Sequence, residues 1–411
     1  MLGELTLENV GPGSRLSLSF GPRLNLLTGD NGLGKSFVLD LAWWALTRSD
    51  RPVPALSRPG HRGVVSAGLV LPEDRRITLR RHVLSGRRDA ANEMPDGEPP
   101  NALVFYAQID GGCRIWDPKR HGIDRERPET FEFSQESIWN GLEAPDGLVL
   151  CNGLVRDWVS WQLKQSASFK HLCEVLTALS PDESEPLMPG EPTRVGVEDA
   201  RDIPTLEMPY GLVPLTHASA GIRRIVGLAY LLVWAWEKHL QFAGYFNEEP
   251  TDRIVFLIDE VEAHLHPRWQ RRILPSLLAV IRALRPDVKV QVLAVTHSPM
   301  VLASVEPSFD TAQDALFMFD LVGKEVQVSR ADWRPRGDAN AWLTSEVFDL
   351  KEARSVEAEQ AITQARAALR NPDLPIEEVK RIHNNLYRLL KDTDPFWPRW
   401  LVRAEAAGID P

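Results

Sequence analysis

Residues Gly29 to Ser36 have the types and spacing of a phosphate-binding loop. They read Gly29, Asp30, Asn31, Gly32, Leu33, Gly34, Lys35 and Ser36, which satisfies G-x-x-x-x-G-K-[ST] at every defined position. The glycines let backbone N–H groups wrap around phosphate oxygens, and the N-terminus of a following helix favours their negative charge. Lys35 is expected to reach the β- and γ-phosphate oxygens, and the Ser36 hydroxyl to ligate Mg²⁺. The loop therefore predicts a nucleoside triphosphate site.

A pair of acids follows the apolar run Arg253 to Ile258. On its own, such a run ending in Asp-Glu is often only a strand that meets a solvated loop. Together with the phosphate loop it predicts a hydrolytic edge, with Asp259 holding Mg²⁺ directly or through water. Glu260 is then expected to orient and deprotonate the attacking water.

Histidines follow both of the strands that end near this edge. The run Val290 to Val295 ends at His297, which places an imidazole where ligands bind in open α/β sheets. His264 and His266 lie two residues apart after Glu260 and have no third histidine or cysteine at zinc spacing nearby. Because two ligands do not make a zinc site, we do not expect a metal role for this pair.

The elements that must position these groups alternate between helices and apolar strands. The run LNLLTG leads through the glycine loop into a helix, and a helix over about Ala220 to Leu240 precedes RIVFLIDE. A further helix begins near Pro267 and is followed by the strand VQVLAVTH. Near-continuously apolar strands between helices are typical of a parallel sheet. The fold class is therefore α/β, with a mixed and parallel sheet and helices around it.

Four parts are predicted along the chain. The first part, 1–136, contains an edge hairpin, the phosphate loop and an antiparallel β layer made by VVSAGLVL, RRITLRRHVL and ALVFYAQI. The part 137–218 contains a helical insertion, with Trp158 to Leu179 as its clearest amphipathic helix, and a proline- and acid-rich connection expected to hold little secondary structure. The core resumes over 219–335. The part 336–411 is expected to form an antiparallel helical hairpin with a tryptophan-rich tail.

Composition restricts the class of protein. There are 47 Lys+Arg and 57 Asp+Glu, which gives a net charge of −10. This charge argues against a protein that binds nucleic acid over an entirely basic surface. Three cysteines without CxxC spacing favour a reducing, cytoplasmic setting. The most apolar run, Ile225 to Trp236, is too short to span a bilayer, so we expect a buried core helix and no membrane partner.

Four motifs in order resemble one family of ATPases. They are Asn31 to Ser36, Ser219-Ala220-Gly221 at the start of a helix, Asp259-Glu260 followed by Glu262 to Pro267, and Thr296 to Pro299. Together they resemble an ABC-type ATPase of the RecF/SMC-like branch. More narrowly, they are similar to the ATPases of overcoming-lysogenization-defect nucleases and of abortive-infection systems. The resemblance implies an ABC-type P-loop ATPase core that uses ATP and Mg²⁺.

The resemblance also implies roles for residues outside the phosphate loop. Ser219 and Gly221 would form the signature motif, which in this family contacts the γ-phosphate of ATP held by the other protomer. The motif departs from the common Leu-Ser-Gly-Gly-Gln, since it reads Ala-Ser-Ala-Gly-Ile. Glu262 to His266 would form the D-loop, and His297 would be the switch histidine. The family also has a glutamine next to the bound metal ion. Gln135 is the first choice for this residue and Gln108 the second.

Three functions follow from these observations. The first is an ATP-hydrolysing switch that forms a homodimer or higher even oligomer through ATP and controls a separate nuclease or toxin in antiphage defence. The second is a DNA repair or recombination ATPase without an effector. The third, an ATP-binding subunit of a transporter, is disfavoured by the long insertion before Asp259, the D-loop sequence and the helical C-terminal extension. After Pro299 the sequence offers mainly helices, so we expect no nuclease domain in this chain.

Two further groups of residues suggest partner surfaces. The basic run offers either a solvated strand edge or a phosphate-backbone contact with DNA, and strand alternation must divide it between two faces. Its members are Arg75, Arg76, Arg80, Arg81, His82, Arg87 and Arg88. Trp397 and Trp400 are predicted on a loop and are candidates for a partner surface, whereas the tryptophans of the predicted helices are expected in the core.

Overall fold

The structure is a computed structural model that describes residues 1–48, 57–71, 75–83, 99–120, 130–182, 184–284 and 287–409. The chain forms two compact units, 1–339 and 340–411. All of the motif residues lie in the first unit. The division of that unit into three parts stays a prediction of the sequence.

An eight-stranded sheet forms the centre of the first unit. Its five inner strands run parallel, and antiparallel strands extend it at both edges. The predicted fold class, α/β with a mixed and parallel sheet, is confirmed. In spatial order the strands are β17 (Glu325–Arg330), β16 (Ala315–Val322), β3 (Leu24–Gly29), β15 (Lys289–Val295), β14 (Arg253–Ile258), β6 (Leu103–Ala107), β7 (Cys113–Trp116) and β8 (Thr130–Phe133).

A second, antiparallel sheet covers helix α1 (Lys35–Thr47), which packs between the two sheets. This sheet has the order β2 (Arg15–Ser19), β1 (Leu2–Glu8), β4 (Gly63–Val70) and β5 (Arg76–Val83). The sequence placed ALVFYAQI in this layer, which is wrong, because its strand β6 pairs with β14 in the central sheet. Residues 103–106 are all buried, as expected of a strand that is covered on both faces.

The basic run lies along β5, the edge strand of the second sheet. Arg76, Arg80 and His82 are exposed on one face, whereas Arg81 points to the other and its guanidinium lies 5.6 Å from the centre of the Trp44 ring. The predicted division between two faces is therefore observed within β5. Arg87 and Arg88 lie outside the described residues. The DNA contact stays a prediction.

The insertion before α5 contains more strands than the sequence indicated. The helix predicted over Trp158 to Leu179 is two helices, because Gln165 has a φ of 48° and Ser166 caps the second helix by accepting from the Phe169 N–H at 3.2 Å. The elements in order are α2 (Gln135–Asn140), β9 (Leu142–Glu143), β10 (Val149–Cys151), α3 (Leu154–Leu163) and α4 (Ala167–Ala178).

The proline- and acid-rich connection is also ordered, contrary to the prediction. It forms an antiparallel sheet of β11 (Met188–Thr193), β12 (Ile203–Met208) and β13 (Gly211–Pro214). Two prolines are tolerated in β11 because it is an edge strand. The central strand buries Ile203 and Leu206, and the Gln162 amide donates to the Gly190 carbonyl at 3.0 Å. These long-range contacts supply the stability that local composition does not predict.

The remaining helices of the first unit come before or after β14 and β15, the strands that lead to Asp259 and His297. They are α5 (Ala220–Phe246), α6 (Pro267–Gln270), α7 (Ile273–Leu284) and α8 (Pro299–Val305). Among the described residues, no helix combines the length and apolar character that crossing a bilayer requires.

The second unit is helical. Helix α9 (Ala339–Leu343) spans the boundary between the units in the sequence. Helices α10 (Val356–Leu369), α11 (Ile376–Leu389) and α12 (Trp397–Ala406) pack around one apolar core. The sequence placed Trp397 and Trp400 on an exposed loop, which is wrong. Both lie in α12 and are 7% and 0% exposed, and the Trp400 indole N–H donates to Nδ1 of His383 at 3.3 Å. Pro398 is compatible with this helix because it occupies the first turn.

Candidate active site

The phosphate loop connects β3 to α1 with the backbone shape that the motif requires. Gly29 has a φ of 130°, and a Cβ there would lie 2.2 Å from the Phe319 carbonyl oxygen, so only glycine fits. Gly32 has a φ of 79°, and its missing Cβ would face open space. Asp30, Asn31 and Ser36 are exposed, whereas Leu33 is buried. The loop therefore presents backbone and the Ser36 side chain to solvent.

Lys35 lies inside the loop. Its side chain is almost completely buried, and Nζ donates to the carbonyl oxygens of Gly29 at 2.9 Å and Asp30 at 2.6 Å. Burial lowers the pKa of Lys35, and the negative charges of Asp30, Asp259, Glu260 and Glu262 oppose that shift. The lysine of the loop and the acids that follow β14 thus share one electrostatic environment.

Asp259 has the features expected of a metal ligand. Its backbone N–H donates to the Ala107 carbonyl at 2.9 Å, and its side chain is 4% exposed. Its Oδ1 is buried without a hydrogen-bond partner among the described residues. A buried carboxylate oxygen without a donor is costly unless a cation or water satisfies it. The donor chemistry therefore fits Mg²⁺.

Glu260 has an unusual backbone conformation next to Asp259. Its φ is 47°, which lies in the left-handed region that non-glycine residues rarely adopt. Its side chain is half-exposed at the carboxyl edge of the sheet. Residues held in such conformations cluster at functional sites, where the surroundings stabilise the strain.

His297 follows β15, which lies between β3, the strand before the phosphate loop, and β14, the strand before Asp259. The preceding Thr296 N–H donates to the Leu27 carbonyl in β3 at 3.0 Å, so the histidine loop is joined to the strand of the phosphate loop. Burial lowers the pKa of His297, and Lys35 lowers it further, whereas the nearby carboxylates oppose the shift. A lowered pKa favours the neutral imidazole, which can accept or donate a hydrogen bond.

The start of α5 and the D-loop form one surface. Ser219 is exposed and caps α5, with its Oγ accepting from the Ile222 N–H at 3.3 Å. Gly221 packs against the D-loop, since a Cβ there would lie 2.7 Å from the His264 carbonyl oxygen. His264 and His266 are both exposed, and Nδ1 of His266 accepts from the Arg268 N–H at 3.3 Å.

The two candidate glutamines lie at different places near one cavity. Gln108 directly follows β6, the neighbour of β14, whereas Gln135 is the exposed first residue of α2. Both line a cavity of about 300 Å³ whose walls include Arg223 and Gly227 of α5. Only Gln108 follows a strand that pairs with the strand leading to Asp259.

Two side chains that the sequence analysis missed contact this site. Arg224 donates over 3.3 to 3.4 Å to the backbone carbonyls of Asp259 and Glu260 and thereby links α5 to the turn that contains this acid pair. Asp40 lies on α1 four residues after Ser36 and accepts from the Tyr106 hydroxyl at 3.2 Å. Burial is the main cause that raises the pKa of Asp40. The helical spacing from Ser36 could have indicated Asp40, whereas nothing local indicates Arg224.

The sequence of this region matches a known family. Residues 209–303 match the family described as "AAA domain, putative AbiEii toxin, Type IV TA system". The matched segment includes α5, the Asp259-Glu260 pair and His297.

Two relatives and two solved structures are similar to the chain. It is 23% identical over 317 residues to the Septu protein PtuA of Bacillus thuringiensis, covering 73% of this chain and 72% of the relative. It is 28% identical over 96 residues to "Retron Ec83 probable ATPase" of Escherichia coli, which is 23% of this chain and 15% of that relative.

The SMC head domain from Thermotoga maritima is 14% identical, with 81% of this chain and 99% of the SMC head covered and a TM-score of 0.39. The recombination mediator protein RecF is 11% identical, with 81% and 98% covered and a TM-score of 0.36. The family match and the two relatives confirm the resemblance predicted from the motifs.

Proposed function

We propose that the chain is a Mg²⁺-dependent ATPase that acts as a dimerising switch in antiphage defence and controls a separate effector directed at nucleic acid. The observation that carries the proposal is that three groups lie beyond the carboxyl ends of three adjacent parallel strands. Lys35 follows β3, His297 follows β15 and Asp259 follows β14, and these strands are neighbours in the sheet. Their carboxyl ends meet at the edge where α/β sheets bind ligands.

Each group has a part in hydrolysis. The amides of the phosphate loop bind the phosphates, and Lys35 neutralises the β- and γ-oxygens. Ser36 and Asp259 would hold Mg²⁺, which when bound neutralises charge that develops on the phosphate oxygens. Glu260 takes the proton of the attacking water, and neutral His297 orients the γ-phosphate by hydrogen bonding.

Gln108 is better supported than Gln135 as the glutamine next to the metal ion. It directly follows β6, which pairs with β14, the strand that ends before Asp259. Gln108→Ala is expected to raise the Mg²⁺ concentration for half-maximal hydrolysis about tenfold or more, as loss of an outer-sphere metal contact does. Gln135→Ala, the matched control, is expected to raise it less. The measurement is a Mg²⁺ titration of ATPase rate at saturating ATP. A larger shift in Gln135→Ala would return the role to the residue that the sequence favoured.

The proposed role in defence is supported by the similar proteins. The proposed ATP-linked dimer is supported by the surface around Ser219. The family matched by residues 209–303 is described as "putative AbiEii toxin, Type IV TA system", and the Septu protein and the retron ATPase are two of the similar proteins. The exposed start of α5 offers backbone N–H groups and a helix dipole to an anion. In the proposed dimer that anion is the γ-phosphate bound by the partner.

Lys35→Ala is expected to abolish ATP binding, because it removes the positive charge that faces the phosphates and leaves the helix position intact. The matched control is Lys289→Ala, which removes an exposed lysine at the amino end of β15, the opposite edge of the sheet from the site. Binding of a fluorescent ATP analogue, measured by titration, checks the result, with thermal unfolding to verify folding. Wild-type affinity in Lys35→Ala would overturn the ATPase assignment.

The runner-up function, a DNA repair ATPase without an effector, uses the same site. The two proposals differ in what binds the protein, so mass spectrometry of proteins that copurify from phage-infected cells distinguishes them. A stoichiometric nuclease or toxin supports the defence switch. Copurification with DNA alone, with no second protein, would favour the repair function.

A further inference from the structure

Glu262 joins the D-loop to the histidine loop through a pair of hydrogen bonds. Its Oε2 accepts from the Thr296 hydroxyl at 2.7 Å, and its Oε1 accepts from the His297 backbone N–H at 2.5 Å. One carboxylate therefore holds two consecutive residues of the other loop. Hydrogen bonds to a charged acceptor are among the stronger ones in proteins, and these are half-buried.

Gln270 makes a second connection between the same loops. Its Oε1 accepts from the Ser298 hydroxyl at 2.7 Å, and its Nε2 donates to the Leu265 carbonyl in the D-loop at 2.9 Å. The Ser298 N–H also donates to the Thr296 hydroxyl oxygen at 3.1 Å. The two loops are thus connected on both sides of His297.

We propose that Glu262 is a positioning residue for His297, and that Glu262 and Gln270 make the D-loop and the histidine loop move as one unit. The proposal rests on the proposed ATPase function, in which His297 contacts the γ-phosphate. The backbone on each side of the imidazole is held by side chains that start from the D-loop or directly after it. A displacement of the D-loop therefore moves the imidazole relative to Lys35.

The first test separates positioning from general stability. Glu262→Ala is expected to lower kcat about tenfold to a hundredfold and to change KM for ATP less than kcat, because misplacement by about 1 Å has effects of that size. Glu262→Gln is expected to recover much of the rate, since its amide can accept from His297 and donate to Thr296.

The matched control is Glu306→Ala. Glu306 is also half-buried and accepts from the Arg336 N–H at 2.7 Å and the Gly337 N–H at 3.1 Å, at the opposite end of α8 from Ser298. It is expected to retain wild-type kcat. An unchanged kcat in Glu262→Ala, or an equal loss in Glu306→Ala, would overturn the positioning role.

A second measurement does not depend on ATP hydrolysis. Amide hydrogen exchange in the nucleotide-free protein is expected to show faster exchange at His297 in both Glu262→Ala and Gln270→Ala than in wild type. Unchanged protection at His297 in both variants would reject the connection. A wild-type protein that shows this protection but neither binds nor hydrolyses ATP would reject the proposed function alone.

Discussion

Glu260→Gln is expected to bind ATP with wild-type affinity and to hydrolyse it on the order of 10² to 10⁴ times more slowly, the range for loss of a general base. An amide cannot take the proton of the attacking water, yet it retains the size and hydrogen-bonding reach of the carboxylate. The backbone of residue 260, with its φ of 47°, bears the same Cβ in both proteins. The loss of rate therefore reports chemistry and not a change in backbone strain.

The same variant is expected to accumulate as an ATP-bound dimer, because hydrolysis is the step that would release it. Single-turnover kinetics with light scattering after size-exclusion chromatography measures both effects. Glu174→Gln removes an exposed carboxylate on α4 and provides the control for loss of one negative charge. Turnover near wild type in Glu260→Gln would transfer the role of base to another group, with His297 as the next residue to test.

The central residues of the site could be predicted because each belongs to a short local pattern. The phosphate loop is contiguous, and Asp259 and His297 each follow an apolar strand directly. The carboxyl ends of parallel strands share an edge, so the sequence order of strand and motif was sufficient to place the groups together. No long-range contact had to be known.

The contacts that hold these groups could not be predicted for the opposite reason. Glu262 and His297 are 35 residues apart, and Tyr106 lies 66 residues from Asp40, so no local period relates the partners. The sheet of β11 to β13 was missed because its proline and acid content resembles an exposed connection, while burial of Ile203 against the insertion decides its structure. Tertiary packing overrides such composition signals.

The helix break at Gln165 shows a different limit. Apolar residues keep a helical period from Trp158 to Leu179, which predicts one helix. The serine that ends this continuity is a good N-cap, and the Ser166 hydroxyl accepts from the Phe169 N–H. A polar Gln-Ser pair at the centre of an amphipathic run was the signal for two helices.

Ser219→Arg is expected to bind ATP normally, because the phosphate loop of the same protomer is intact. It is expected to fail in turnover, because the larger arginine side chain obstructs the γ-phosphate bound by the partner. The loss of its capping hydrogen bond should cost about 1 kcal/mol of stability. Ser355→Arg is the matched control, since Ser355 is an exposed serine that caps α10 by accepting from the Ala358 N–H at 3.2 Å. It is expected to retain wild-type turnover.

Mixing Ser219→Arg with Lys35→Ala tests whether the two halves of each site come from different protomers. In a symmetric dimer, the mixed species has one site with an intact Lys35 from the first protomer and an intact Ser219 from the second. Random exchange at equal amounts should then restore about a quarter of the wild-type ATPase rate, although each variant alone is inactive. Fluorescence energy transfer between labelled protomers confirms that exchange occurs. If exchange is complete and no mixing ratio restores hydrolysis, Ser219 does not act on the partner's nucleotide, and the dimer is not the catalytic unit.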